Sequence, residues 1–233
     1  MKAVILAAGM GTRLGTQIPK SLTNLKNEIT ILDSQISKLL KIVGLDSILI
    51  VVGYKKELIM KAHPKSTFVY NESYAQTNTA KSLLAAIKKI DDDIIWLNGD
   101  VYFDADILDI LVDSDMSACL VDSKKCDDEE IKYTLTSDGF VKELSKEVKN
   151  GLGEAVGINL IKQKDLKAFI EELENVGQKD YFEKALENLA QSGQLKLKAA
   201  NIDDFYCKEI DFEQDLIDVQ KHINQYNIKD GEI

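Results

Sequence analysis

The sequence predicts an α/β fold with a Rossmann-like, mostly parallel sheet flanked by helices, together with a smaller α+β lobe. Three observations support this fold class. Short apolar runs alternate with amphipathic stretches over residues 1–120, strand-like segments flank an Asp138-Gly139 turn in the second half, and a glycine-rich loop follows the first apolar run. Strands that alternate with helices build βαβ units, which form parallel sheets.

The first half of the chain supplies the parallel sheet. Its short apolar runs lack polar alternation, which is typical of strands that are buried on both faces. Apolar residues at helical spacing, such as Leu32, Ile36 and Leu39, predict the helices between them. The predicted strands cover 2–7, 48–52, 67–70 and 94–97, and the predicted helices cover 32–43, 53–60 and 79–90.

The second half contains shorter strands and ends in helices. The Asp138-Gly139 pair favours a hairpin turn between two of these strands. The predicted strands cover 116–121, 132–136, 140–144, 155–161, 195–200 and 205–210, and the predicted helices cover 163–176, 180–191 and 211–226.

Composition excludes several classes of protein. The hydrophobic fraction of 45% and the charged fraction of 29% are those of an ordinary soluble globule. A net charge of −10 argues against a nucleic-acid partner, whose phosphates require a basic surface. No apolar stretch approaches the roughly 18 residues of a membrane span. Cys119, Cys126 and Cys207 lack the spacing of a metal site. We therefore expect a cytoplasmic protein without a membrane segment, and the sequence allows a homodimer.

The loop after the first strand carries the features of a polyphosphate site. Gly9, Gly11 and Gly15 allow the backbone to approach a ligand and to point N–H groups at it. Arg13 is the chain's one arginine, and its planar guanidinium can bind two phosphate oxygens at once. Lys20 follows a few residues later. A simple glycine turn is the alternative, while the G-x-G-x-x-G and P-loop spacings are both absent.

The loop also resembles the signature of the nucleotidyltransferases, through L-A-A-G-x-G-T-R-L at 6–14 and P-K-S-L at 19–22. The resemblance implies an enzyme that moves a nucleoside monophosphate from an NTP to a phosphorylated acceptor with the help of Mg²⁺. It implies one domain over 1–233, with a nucleotide-binding sheet at 1–120, an acceptor lobe at 121–210 and a closing helix and tail at 211–233. It implies catalytic roles for Arg13 and Lys20, and nucleotide contacts from Leu6, Ala8, Gly9, Gly11, Thr12 and Arg13.

Two aspartates are candidates for holding the metal. Asp100 ends the Asn98-Gly99-Asp100 segment directly after a buried strand, where the ligand crevice of a parallel sheet opens. The resemblance implies a catalytic, metal-binding role for Asp100, and a second metal ligand at Asp211 in the acidic–apolar–Asp segment that precedes the last helix. A turn aspartate and a helix N-cap are the respective structural alternatives.

A second acidic pair, Asp104 and Asp106, raises another class of enzyme. Nucleotide-sugar glycosyltransferases hold a metal and a diphosphate with an Asp-x-Asp pair. Here the pair stands at the start of a predicted helix, where Asp104 is expected to act as the cap.

The nucleobase site is expected just before the helix at 79–90. The segment from Tyr74 to Ser82 resembles the Tyr…Thr-Asn-x-x-x-Ser segment of cytidylyltransferases that act on small phosphomonoesters. The resemblance implies CTP as the nucleotide, contacted by Tyr74, Thr77, Asn78 and Ser82. Asn78 can offer both a donor and an acceptor to a pyrimidine, but Thr77 or Asn78 could equally be the helix cap.

The acceptor is expected to be a small non-sugar phosphate, with Lys20, Lys146, Glu154, Asn159 and Tyr181 as its contacts. An alternative for Lys146 is a solvated surface lysine that does not bind the acceptor. Trp96 lies within a predicted core strand, which leaves little for an aromatic choline cage. Asn159, Lys179, Tyr181 and Glu183 could instead hold a polar acceptor. The resemblance extends to the phosphoglutamine cytidylyltransferases of capsule phosphoramidate synthesis, so phosphoglutamine is the expected acceptor. Phosphocholine, a sugar 1-phosphate, and a non-catalytic nucleotide-binding module remain as alternatives.

Overall fold

The computed structural model describes residues 1–11, 18–124, 126 and 129–229. Seven helices and thirteen strands occur in this part of the chain. The strands are β1 (Lys2–Ala7), β2 (Asn24–Lys26), β3 (Ile29–Thr30), β4 (Ile48–Val52), β5 (Thr67–Tyr70), β6 (Ile94–Asn98), β7 (Val101–Phe103), β8 (Ala118–Asp122), β9 (Lys132–Leu135), β10 (Val141–Ser145), β11 (Glu154–Ile161), β12 (Lys198–Asn201) and β13 (Cys207–Glu209). The helices are α1 (Ile31–Leu39), α2 (Lys56–Ala62), α3 (Thr79–Ile87), α4 (Ile107–Val112), α5 (Gln163–Asn175), α6 (Phe182–Gln191) and α7 (Glu213–Lys229).

The first strand lies at the centre of a parallel sheet. β1 pairs in parallel with β4 on one side and with β6 on the other, and β5 extends the sheet beyond β4. The chain thus changes direction across the sheet next to β1, and such a switch point opens a crevice at the carboxyl ends of the strands. Ala3, Val4 and Ile5 are fully buried, as expected for a strand covered on both faces.

The second half of the chain continues the same sheet. β11 runs antiparallel to β6 and joins β8 and β9, while β10 and β12 extend the sheet from β9 and β8. The predicted fold class and the predicted strands are therefore confirmed. The sequence did not predict β2, β3 and β7. The division of the domain at residues 120 and 210 stays a prediction.

Two hydrophobic layers cover the sheet. On one face, α3, α5 and α6 pack on Trp96, whose ring stacks on Phe169 and meets Phe182 edge-on at centroid distances of 5.3 and 5.5 Å. On the other face, α1 and α4 bury residues such as Leu32 and Ile107. Trp96 is fully buried, which confirms its place in the core. Among the described helices, none is both long and apolar enough to cross a bilayer.

Helix α1 supports the turn that leads out of β6. The helix begins with a reciprocal capping box between Thr30 and Asp33. Its buried residue Gln35 donates from Nε2 to the carbonyl oxygens of Asn98 and Val101, at 2.9 and 2.7 Å. These two carbonyls flank Asp100, so Gln35 fixes the backbone on which that aspartate stands.

We expect the substitution Gln35→Leu to lower the free energy of unfolding by about 1–3 kcal/mol, because two buried carbonyls lose their donor. Urea denaturation monitored by circular dichroism measures this change. The matched control is Gln163→Leu, which removes an exposed amide bonded to Asp91 and should change stability by no more than about 0.5 kcal/mol. Equal losses in the two variants would contradict the role of Gln35.

Candidate active site

A two-stranded ribbon brings three distant carboxylates together. β7 begins directly after Asp100 and pairs antiparallel with β13, which ends two residues before Asp211. The Ile210 N–H donates to the carbonyl oxygen of Asp100 at 2.9 Å and continues the pairing. The carboxylate oxygens of Asp100, Glu209 and Asp211 consequently lie within 4.8 Å of one another. The sequence indicated Asp100 and Asp211 as ligands of one metal. It did not predict strand β7, so it could not show how the ribbon brings the two residues together.

Lys20 binds two of these carboxylates. Its buried Nζ lies 2.8 Å from Asp100 Oδ2 and also bonds to Asp211 Oδ1. Burial alone lowers the pKa of Lys20, but the charges of Asp100 and Asp211 and their hydrogen bonds outweigh it, so the pKa is raised above its ordinary value. The lysine therefore stays charged and neutralises part of the acidic cluster.

Glu209 is a member of this cluster that the sequence analysis left without a role. The charge of Asp100, then burial, then the charge of Asp211 raise the pKa of Glu209 to about 8, although the residue as a whole is exposed. The sequence feature that could have identified Glu209 is the alternation of acidic and apolar residues in Glu209-Ile210-Asp211, which places both acidic side chains on the same face of a strand. Three carboxylates with an excess of negative charge form a donor set of hard oxygens that suits a divalent cation.

The glycine loop lies next to this cluster. Leu6, Gly9 and Gly11 line a cleft, together with Lys20 and Asp100. The Gly99 N–H donates to the Leu6 carbonyl at 3.0 Å, and a side chain at Gly99 would come within 2.7 Å of that oxygen. Glycine at 99 is thus required for the close contact of β6 with β1. Ala8 accepts a hydrogen bond from the Tyr54 N–H at the same edge. Thr12 and Arg13 lie outside the described residues.

The acidic pair at Asp104 and Asp106 lies elsewhere. The side chain of Asp104 accepts from the Tyr206 N–H at 3.0 Å and contacts His222 Nε2 at 2.8 Å. The expected side-chain cap by Asp104 is therefore wrong: α4 begins at Ile107, Asp106 stands at the N-cap position, and its side chain makes no capping bond. The carboxylate of Asp104 instead attaches α7 and the segment before β13 to the end of β7.

The segment expected to bind the nucleobase is organised by a residue that the sequence analysis missed. Asn71, which follows β5, donates from Nδ2 to Thr77 Oγ1 at 3.0 Å and to Ser82 Oγ at 2.9 Å. Its Oδ1 accepts from the Ser73 N–H at 3.0 Å. Tyr74 packs against Gly53, which leaves no space there for a side chain. The only sequence signal for Asn71 was a polar residue at the end of a strand.

Asn78 caps α3 and also reaches the second half of the chain. Its Oδ1 accepts from the Thr79 N–H at 2.9 Å, and its Nδ2 donates to the Lys179 carbonyl at 3.2 Å. The Asn78 N–H donates to the Gln178 carbonyl at 2.9 Å. The structural alternative for Asn78, a helix cap, is thus what the structure shows. The proposed contact with a base stays a prediction.

The residues expected to bind the acceptor lie in different parts of the structure. Lys146 Nζ lies 5.4 Å from the centre of the Tyr181 ring and 3.5 Å from Glu129, at the surface near the start of α6. Asn159 is buried opposite Trp96 in the β11–β6 pairing. Glu154 belongs to a different environment, where burial and the charge of Glu130 raise its pKa to about 7. The acceptor-binding roles of Lys146, Glu154, Asn159 and Tyr181 stay predictions.

Glu183 is a further buried acid near the start of α6. Burial raises the pKa of Glu183 to about 7, although its own backbone N–H and the charge of Lys146 act in the opposite direction. Its Oε2 lacks a hydrogen-bond partner within the described part of the chain. Glu183 and Glu187, the two glutamates of α6, are both buried, and this burial results from long-range packing that no local pattern reveals.

We expect the stability of the protein to depend on pH through Glu183. Its pKa in the folded chain exceeds the unfolded value of about 4.5, so the folded state binds the proton more tightly and the free energy of unfolding falls as pH rises from 4.5 to 7. Between pH 5 and pH 8, Glu183→Gln should gain about 2–3 kcal/mol relative to the natural protein. Urea denaturation at each pH measures the difference.

The control for that experiment is Glu213→Gln, which removes one exposed carboxylate from the first turn of α7. Its difference from the natural protein should vary little over the same pH range. A pH-independent difference for Glu183→Gln would show that the carboxyl at position 183 is not destabilised by burial.

Comparison with solved structures confirms the fold. The CTP:phosphocholine cytidylyltransferase LicC from Streptococcus pneumoniae superimposes with a TM-score of 0.79 and 21% identity, over 95% of this chain and 98% of that one. The inositol-1-phosphate CTP transferase from T. maritima gives a TM-score of 0.76 and 16% identity, with 94% of each chain covered. At these identities the likeness concerns the fold alone.

Three curated relatives are similar over part of the chain. Choline-phosphate cytidylyltransferase from Streptococcus pneumoniae is 41% identical over 88 residues, which are 36% of this chain and 38% of the relative. CMP-5'-(3-aminopropyl)phosphonate synthase from Streptomyces rubellomurinus is 33% identical over 120 residues, 48% of this chain and 19% of the relative. The bifunctional protein GlmU from Methanococcus maripaludis is 37% identical over 118 residues, 48% of this chain and 28% of the relative. Each match spans less than half of the relative's length.

A protein family matches a much larger part of the chain. Residues 3–188 correspond to the family described as the MobA-like NTP transferase domain. The matched region contains the glycine loop, Lys20, Asp100 and the start of α6. The expected relation to the nucleotidyltransferases is therefore confirmed, and the chain belongs to the MobA-like NTP transferase family.

Proposed function

We propose that the protein transfers CMP from CTP to a small non-sugar phosphomonoester, with phosphoglutamine as the acceptor, and releases pyrophosphate. The observation that carries the proposal is the meeting of Lys20 with the Asp100, Glu209 and Asp211 carboxylates beside the glycine loop. Two of the curated relatives are named for CMP or cytidylyl transfer, which supports cytosine as the base. Capsule modification in the cytoplasm is the corresponding proposed setting.

The acidic cluster fits a divalent cation. Asp100 and Asp211 would hold Mg²⁺, and Glu209 lies close enough to take part. When bound, Mg²⁺ would neutralise phosphate charge and orient the triphosphate. Binding of the cation favours ionised carboxylates, so it opposes the raised pKa of Glu209.

The reaction needs little acid–base chemistry from the protein. The acceptor phosphate is ionised at neutral pH, and one of its oxygens attacks the α-phosphorus in line. A new P–O bond forms there while the bond from the α-phosphorus to the bridging oxygen breaks, and pyrophosphate leaves. Positioning and charge neutralisation then provide most of the rate enhancement.

The chain's own cations neutralise the transferring phosphates in this proposal. Lys20 exchanges its contacts with Asp100 and Asp211 for contacts with the α-phosphate and the acceptor phosphate, while Arg13 binds the leaving pyrophosphate. The backbone at Gly9 and Gly11 lines the cleft and would lie beside the phosphates. Leu6, Ala8 and Thr12 complete the nucleotide-binding loop.

The cytosine base is held by the segment from Tyr74 to Ser82. Asn78 is bonded at both ends of its amide group, so it fixes the shape of the segment at the start of α3. Thr77 and Ser82 are held by Asn71 in the same way. Tyr74 supplies the aromatic surface next to Gly53.

We expect pyrophosphate release in the presence of CTP, Mg²⁺ and phosphoglutamine, and much less with UTP, dTTP or ATP. Asp100→Asn should reduce the rate by about 100-fold or more, because a carboxylate that would hold Mg²⁺ beside the phosphates is lost. The matched control is Asp104→Asn, since Asp104 binds Tyr206 and His222 and lies outside the cluster. A coupled pyrophosphate assay measures all of these rates.

Two other outcomes of these assays would favour a different function. Loss of activity in Asp104→Asn with retention in Lys20→Met would favour a glycosyltransferase. Tight CTP binding without pyrophosphate release from any acceptor, including phosphocholine, glycerol 3-phosphate and glucose 1-phosphate, would indicate a non-catalytic binding module.

We also expect Lys20→Met to bind Mn²⁺ about tenfold more tightly than the natural protein when no nucleotide is present. The Lys20 ammonium and a divalent cation compete for the same carboxylates, and the substitution removes this competition. Isothermal titration calorimetry measures the affinity without reference to catalysis. Lys26→Met, which removes a half-buried lysine from β2, is the control. Unchanged or weaker binding in Lys20→Met would contradict the competition.

A further inference from the structure

Two glutamates one turn apart on α6 have different surroundings. Glu187 is 6% exposed and fully partnered: its Oε1 accepts from the Leu144 N–H at 3.1 Å and its Oε2 from Lys184 Nζ at 2.9 Å. Glu183 is 5% exposed, yet its Oε2 lacks a partner within the described residues. The same helix therefore contains a structural glutamate and a glutamate with unused hydrogen-bonding capacity.

A buried donor without a partner lies on the sheet below Glu183. Asn159 is 2% exposed, and its Nδ2 has no hydrogen-bond partner among the residues that the structure describes. In the sheet, Asn159 stands between Trp96 of β6 and Cys119 of β8. Trp96 and Cys119 belong to the apolar layer that α3, α5 and α6 cover, and Phe182 packs edge-on against Trp96, so Asn159 and the start of α6 face the same layer.

Asn159 lies near the proposed reaction centre. It pairs with Trp96 of β6, and β6 ends at Asn98, two residues before Asp100. At the start of α6, Tyr181 precedes Glu183 by two residues, and its ring lies 5.4 Å from Lys146 Nζ. A molecule that extends from the carboxylate cluster over this layer toward α6 would reach Asn159 and Glu183.

An unpartnered buried donor and an unpartnered buried acceptor are both unfavourable, and a ligand can satisfy them together. Glu183 Oε2 requires a donor, and a cationic donor would also compensate its buried charge. Asn159 Nδ2 requires an acceptor oxygen. A primary ammonium beside a carboxylate or carbonyl oxygen has both properties, whereas a quaternary ammonium has no N–H to donate and a neutral sugar hydroxyl brings no charge.

We propose that Glu183 and Asn159 bind the head group of the acceptor, and that the acceptor is a phosphorylated compound with an amino-acid-like end. The ammonium donates to Glu183 Oε2, and the neighbouring oxygen accepts from Asn159 Nδ2. The inference rests on the proposed cytidylyl transfer and specifies which class of phosphomonoester the same site accepts.

The test compares two acceptors and two variants. The acceptors are phosphoglutamine and an analogue in which hydrogen replaces the α-ammonium, and the variants are Glu183→Gln and Glu187→Gln. We expect Glu183→Gln to raise KM for phosphoglutamine by about 10- to 100-fold with KM for CTP changed less than about twofold. The penalty should disappear with the des-amino analogue. Glu187→Gln should lower stability and leave both KM values nearly unchanged.

Equilibrium binding gives a second measurement that does not require turnover. Isothermal titration of the CTP-bound protein with each acceptor should show the same acceptor-dependent loss in Glu183→Gln. Equal penalties for the two acceptors, or equal effects of the two variants, would make Glu183 a structural residue and overturn the inference. Turnover only of phosphomonoesters without an N–H group would overturn it while leaving cytidylyl transfer intact. Absence of pyrophosphate release from every acceptor would instead count against the proposed function, and the binding comparison would still decide the role of Glu183.

Discussion

The ion pairs of Lys20 connect three remote parts of the chain, and the geometry of the candidate site depends on them. Lys20 follows the glycine loop, Asp100 follows β6 and Asp211 follows β13, so the contacts span 80 and 191 residues. Each carboxylate would otherwise repel the others at the carboxyl edge of the sheet. One buried ammonium offsets part of this repulsion, and the antiparallel β7–β13 pairing holds the backbone in register. The Lys20 ammonium thus occupies the position between the carboxylates where a metal is expected to bind, and it holds them together.

A second set of contacts links the proposed base-binding segment to the proposed acceptor-binding segment. The start of α3 and the loop before α6 exchange backbone and side-chain hydrogen bonds: Asn78 with residues 178 and 179, and the Phe182 N–H with Thr79 Oγ1. Lys81 adds a bond to the Leu173 carbonyl at the end of α5. Because these bonds join the two segments directly, a displacement of one changes the position of the other. The packing of α3 on α6 thus fixes the position of the proposed base-binding segment relative to the proposed acceptor-binding segment.

The sequence predicted the parallel sheet because buried strands are continuous apolar runs, which are a local property of the chain. It also located Lys20, Asp100 and Asp211, since each stands next to a recognisable strand, loop or motif. It failed where a residue's role is set by a distant partner. Asp104 looked like a helix cap because its actual partners, Tyr206 and His222, are about a hundred residues away. Gln35 and Asn71 are polar residues whose burial arises only when helices close over the sheet, so no spacing rule reveals them.

The buried polar residues near the site differ in how far their hydrogen bonds are satisfied, and the difference bears on function. Gln35 and Asn71 use amide donors to fix backbone and hydroxyl groups around the site, although Gln35 Oε1 itself lacks a partner in the described residues. Glu183 and Asn159 are buried at some loss of stability, because each has a polar atom without a partner in the described residues. A chain under selection for stability alone would replace such groups by apolar residues of similar shape. Their presence is explained if the missing partners arrive with the substrate, and Glu187, one turn along the same helix and fully bonded, shows that α6 can bury a glutamate without such a loss.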